Sequence, residues 1–175
     1  MKHDAGVALI GALLAMSLLL ALSAAIVVTT ASEAGIAASY RAGREAFYAA
    51  NAAAELALSG AVFTDGAPSG IRLLEDRSSL DPEAVVASAR AEAGSPSWAV
   101  LSYGPLESVL PTAAGRRSAA YVVVMTADDP GTVPPIRLIR AEAFGPHGAH
   151  RIVQIAWVAG EPSGLPRVLS WREVP

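Results

Sequence analysis

From Val7 to Ala31 the chain carries no charged side chain. The stretch, with the preceding glycine, reads GVALIGALLAMSLLLALSAAIVVTTA. As a helix its roughly 25 residues rise about 37 Å, enough to cross a hydrocarbon core about 30 Å thick. A secretory signal has a shorter apolar region, about 7 to 15 residues. Lys2 and His3 precede the run, which favours an N-terminus kept in the cytoplasm and a remainder that is exported. The stretch by itself fits a plain signal anchor. The small residues of ALSAA, around Ala24 and Ala25, also offer a cleavage site that would release a secreted domain.

The next segment, Ser32 to Leu58, contains no proline and two glycines, Gly35 and Gly43. Ile36, Tyr40, Gly43, Phe47, Ala50, Ala54 and Ala57 recur at steps of three and four, the period of one face of a helix. No helix breaker separates this segment from the apolar run. The pattern therefore predicts one helix from Val7 to Leu58, roughly 78 Å long, with Gly60 as its C-cap. Its segment 7–31 is lipid-like and its segment 32–59 amphipathic, with Ile36, Tyr40 and Phe47 expected on the buried face.

Residues 60–175 suffice for one small domain. The formal charge is -3, with arginines interspersed through the last third, so nothing marks a nucleic-acid surface. The chain has no cysteine, which excludes disulfide staples and thiolate metal sites. In LDPE, Asp81 reads as an N-cap, Pro82 as the first helical residue and Leu80 as a staple against Val85, predicting a helix from Pro82 to Ala93 that stops at Gly94. Four β-rich runs follow, Ala120–Thr126, Ile136–Phe144, Arg151–Val158 and Arg167–Val174, separated by DDPGTVPP, GPHGAH and GEPSGLP. Val153, Ile155 and Trp157 share one face, as do Leu169 and Trp171. A long helix followed by strands predicts an α+β fold, the helix packed on an antiparallel sheet of about four strands.

The first six residues, MKHDAG, end in glycine and run directly into the apolar helix. This resembles the class III leader of type IV pilins and type II secretion pseudopilins. A second block, AASYRAGREAFYAANAAAELAL, resembles the N-terminal region of PilX-type minor pilins through Gly43, Arg44, Ala46, Phe47, Tyr48, Ala49, Ala50, Ala53 and Glu55. The closing RVLSWREVP is similar, more loosely, to the terminal strand of such proteins. The resemblance implies a 1–6 leader, cleavage by a prepilin peptidase between Gly6 and Val7, and methylation of the new N-terminus. It implies single-pass insertion in the inner membrane, an extracytoplasmic pilin-like head and later transfer into a pilus fibre. Gly11, Ala15, Phe47 and Tyr48 become candidate helix-packing positions in the fibre. The expected partners are other minor and major pilins, the prepilin peptidase, the inner membrane and a tip adhesin, with no nucleic acid. Pilins usually carry glutamate as the fifth residue after the cleaved glycine; here that position is Gly11. The departure points away from a major shaft subunit and towards one that primes or caps the fibre tip. A minor pseudopilin of type II secretion and a signal-anchored extracytoplasmic domain are the alternatives.

No catalytic constellation is legible, and no cofactor or metal is expected. His147 and His150 in HGAH have a metal-like spacing, but Gly145, Pro146 and Gly148 make the segment a turn without an evident third ligand. Asp128 and Asp129 read as a solvated hairpin turn rather than a calcium loop. Ser163 and Ser170 lack a nucleophile elbow. Trp98, Trp157 and Trp171 are expected in the core.

Overall fold

The computed structural model describes residues 4–60, 72–73, 79–93, 98–106, 120–129, 131, 133, 135–159 and 166–174. The expected stop at Gly94, Ser163, and the segments 61–71 and 160–165 lie outside these residues. The chain divides into two compact units, Met1–Ala38 and Ser39–Pro175.

Helix α1 runs from Asp4 to Leu58 without interruption. The absence of proline and the density of alanine and leucine make so long a helix locally favourable. It ends as the sequence implies. Gly60 takes a φ of 84° and donates its N–H to the carbonyl of Ala57 at 3.1 Å, a left-handed cap that glycine adopts without a steric cost.

Two short strands, β1 (Arg72–Leu73) and β2 (Ser79–Leu80), pair antiparallel. Helix α2 then spans Pro82–Ala93, as the sequence predicts. The Asp81 carboxylate accepts the N–H groups of Glu83 at 3.0 Å and Ala84 at 3.5 Å, and Leu80 and Val85 belong to one apolar cluster. Five strands follow: β3 (Ala99–Pro105), β4 (Tyr121–Asp129), β5 (Ile136–Phe144), β6 (His150–Val158) and β7 (Arg167–Val174). They form one antiparallel sheet in the order β3-β4-β5-β6-β7. The fold is therefore α+β, a long N-terminal helix packed on an antiparallel sheet. The sheet has one strand more than the four sequence runs. β3 escaped them because Gly104 and Pro105 imitate a turn; at a sheet edge a terminal proline is tolerated.

Each sheet face has its own core. On one face Val122, Val124, Ile139, Ala141, Ala143, Val153 and Ile155 meet Ala46, Ala49, Ala50, Ala53, Ala54 and Ala57 of α1. On the other, Tyr121, Val123 and Met125 meet Leu80 and Ala89, with Val85, Val86, Trp98, Tyr103 and Phe144 around them. Alternation along β4 assigns its residues to the two layers, and both sets are buried.

The contact face of α1 corrects the sequence stripe. Ile36 is 68% exposed and Tyr40 66% exposed, while Phe47 is half-buried. The packed face is built of alanine from Ala42 onward. β-Branched side chains already fill the space above the sheet, so small helix residues complete a dense layer there. Size complementarity, not apolar character alone, selects the face. Trp157 borders the α1 core and Trp98 the α2 core. Trp171 departs from the expected core role: it is 40% exposed and donates its indole N–H to the Asn51 side-chain oxygen at 2.8 Å.

Candidate functional site

From Leu9 to Ala31 the helix carries no charged residue and is exposed on every side. Leu9, Leu13, Leu14, Leu18, Leu20, Val27 and others are each more than half exposed. The hydroxyls of this segment are satisfied by the helix itself. Ser17 donates to the carbonyl of Leu13, Ser23 to Leu19, Thr29 to Ala25 and Thr30 to Ile26, at 2.8 to 2.9 Å. Such back-bonding leaves few polar groups seeking water, as an apolar surrounding requires. α1 is the one described helix long and apolar enough to cross a membrane, consistent with a single-pass anchor.

Gly6 and Val7 lie on the helical backbone of α1, so the start of the apolar run is not a break in secondary structure. Their side chains are outside the described part. Gly11 has nothing within 4 Å of where a Cβ would stand, and Ala15 is exposed. Both therefore present small surface on the helix, and a close neighbour could approach the backbone there.

Phe47 and Tyr48 sit on the alanine-rich part of α1, their rings edge-to-face at 5.7 Å. Phe47 leans on the core, whereas Tyr48 is 56% exposed. Arg44 links the tyrosines one turn to either side. Its guanidinium donates to the Tyr48 oxygen at 2.5 Å and to the Tyr40 oxygen at 3.4 Å, and lies 5.2 Å from the Tyr48 ring centre. The bond to Tyr48, and then that to Tyr40, hold the guanidinium above its ordinary value, so Arg44 is a fixed positive charge. Gly43 gives the space: a Cβ there would come within 3.2 Å of Arg151 Nη2. Arg151 pairs in turn with Glu173 of β7 at 3.4 Å. These residues line a shallow groove between the helix and the edge of the sheet.

Asp128 and Asp129 are the last residues of β4 rather than turn residues. Asp128 faces Arg137 across the ladder and pairs with it at 3.7 Å. Asp129 accepts the N–H of Gly131 at 3.1 Å. The HGAH segment does turn, through a 3-10 segment Pro146–Gly148 in which His147 takes a φ of 56°. The two histidines are not a pair, however. His147 is exposed, and His150 opens β6 with its Nε2 3.0 Å from Glu142 Oε2. Glu142 is wholly buried and also accepts a bond of 2.6 Å from Arg140 Nε. Glu92 of α2 completes a group of three potential ligands. The side chains beside His150 are thus carboxylates from other elements, in place of a His147–His150 pair. Glu142 and Glu92 stand 8 and 58 positions before His150, and spacing in the sequence gave no sign of their meeting.

No family model, curated protein or solved structure matches the chain.

Proposed function

We propose that this protein is a minor pilin subunit of the PilX type, whose work is assembly rather than catalysis. The observation that carries the proposal is the division of labour along α1. Its first part exposes an uncharged apolar surface with internally satisfied hydroxyls, and its second part lays an alanine face on a five-stranded antiparallel sheet. The first part would wait in the inner membrane and then exchange lipid for neighbouring pilin helices. Gly11 and Ala15 would permit close backbone contact in that exchange, with Phe47 and Tyr48 extending the contact further along the helix. Prepilin peptidase would cut after Gly6, and Val7 would become the methylated N-terminus.

The missing charge at Gly11 favours a place at the fibre tip. A carboxylate in apolar surroundings is costly unless a partner amine meets it. A subunit that enters first has no neighbour waiting, and Gly11 carries no charge to satisfy. The proposed partners are other minor pilins, a major pilin and a tip adhesin.

N-terminal sequencing of the protein recovered from cells tests the reading. A mature chain starting at Val7 supports it, an intact Met1 indicates a plain anchor, and a start near Ile26 indicates a secreted domain. Immunogold labelling of sheared fibres then tests position: even signal along the shaft would remove the tip assignment and leave the pilin assignment standing.

A further inference from the structure

On the sheet face covered by α2, three elements bring one side chain each to the same place. β5 supplies Glu142, β6 supplies His150, and α2 supplies Glu92 from its last turn. One ligand atom from each lies within 4.8 Å of the other two. We propose that Glu92, Glu142 and His150 bind one divalent transition-metal ion, with zinc as the natural occupant, and that the ion fastens α2 to the sheet. The inference is independent of any role in pilus assembly.

The two oxygens of Glu142 have separate duties. Arg140 Nε holds Oε1 at 2.6 Å. Oε2 faces His150 Nε2 at 3.0 Å. Two states suit that contact: the imidazole carries a hydrogen on Nε2 and donates it to Oε2, or the nitrogen is bare and a cation lies between the two lone pairs. A proton satisfies two groups. A metal ion satisfies three, because it also takes the carboxylate of Glu92. Two carboxylates against one guanidinium leave one negative charge, which invites a cation.

The supporting shell is built as metal sites require. Arg140 fixes the rotation of the Glu142 carboxylate. The His150 ring is stacked on Phe144, centres 4.3 Å apart and planes 12° from parallel. The Ser88 hydroxyl donates to Glu92 Oε1 at 3.2 Å, leaving the other oxygen for the ion. Zinc bonds of about 2.0 to 2.2 Å place tetrahedral ligands about 3.3 Å apart. Glu142 and His150 are already close to that spacing, and Glu92, exposed on α2, can swing through the remaining distance. One imidazole and two carboxylates suit a borderline ion such as zinc better than calcium, which prefers an all-oxygen set. Three protein ligands leave a fourth position for water. In a chain without cysteine, such a cross-link supplies what a disulfide supplies elsewhere.

The test uses the full chain in detergent micelles, stripped with chelator and titrated with Zn2+ by calorimetry, with Co2+ absorption as a second readout. The expected result is one ion per chain, a raised melting temperature, and cobalt bands of a four-coordinate N/O site. His150→Gln and Glu92→Gln should each weaken Zn2+ binding about 10-fold or more, while His147→Gln leaves it unchanged. Glu92→Gln changes an exposed side chain and keeps the test decisive if His150→Gln disturbs the fold. No binding at 1 mM Zn2+, binding of Ca2+ in preference to Zn2+, or an affinity untouched by Glu92→Gln would each overturn the proposal.

Discussion

Ala53 has no exposed surface and stands between α1 and the sheet. A leucine there has nowhere to go except by lifting the helix. Ala53→Leu should therefore lower stability by about 1 to 3 kcal/mol, measured by denaturant unfolding of the full chain in micelles. Ala15→Leu, on the exposed segment, should leave the same unfolding curve in place. Phe47 is a graded case. A wholly buried phenylalanine costs about 3 to 5 kcal/mol on truncation; half-buried, Phe47→Ala should cost about 2 kcal/mol, and a loss under about 0.5 kcal/mol would detach it from the core. Arg140 shows the electrostatic counterpart. Arg140→Met leaves Glu142 buried with His150 as its remaining described partner, and removing one member of a buried pair costs about 3 to 5 kcal/mol. That loss should exceed the loss from Arg137→Met, whose partner Asp128 is open to solvent.

At the scale of elements, α2 depends on its ends and on one face. Twelve residues are too few for a stable isolated helix. Its cap at Asp81, the staple of Leu80 and Val85, and burial of Ala89 against the sheet hold it in place. Asp81→Ala should cost about 1 kcal/mol. Amide exchange should quicken in α2 while strands β4 and β5 keep their protection, because those strands are buried between two layers. Uniform acceleration across the sheet would mean that α2 and the sheet open as one unit. The edge strand β7 is read in the same way: its bond from Trp171 to Asn51 and its pair Glu173–Arg151 attach it to α1 and β6, so it is more than a loose fifth strand.

For the molecule as a whole, the proposed assembly role makes a demand on Gly6 that the folded unit Ser39–Pro175 does not share. Gly6→Leu should block removal of the leader, read as a band that keeps the six extra residues, while the melting of the sheet domain stays unchanged. Val7 at the N-terminus of the Gly6→Leu protein would refute the leader assignment. Gly11→Glu should not increase fibre number, since the added carboxylate would need an amine that a leading subunit does not meet.

Both helices and strands β4 to β7 were legible in the residues, whereas β1, β2 and β3 were not. An uncharged run joined without a breaker to an alanine-rich stretch could form nothing but a long helix. The Asp81-Pro82 start fixed α2 to the residue, and β-branched alternation located β4 to β7, with the bounds of β5 and β7 matching those of the structure. Local propensity and capping carry that information because they act between neighbours in the chain. The assignment of faces and partners was decided elsewhere. Ile36 and Tyr40 are apolar enough to belong inside, yet the sheet selected alanines whose volume fits its valines. β3 became a strand because β4 offered it an edge, against the turn character of Gly104 and Pro105. Glu92, Glu142 and His150 carry no shared motif, and only antiparallel pairing of β5 with β6, under a capped α2, brings them together. Long-range packing decides such matters through shape and charge summed over three dimensions, which no spacing along one dimension encodes.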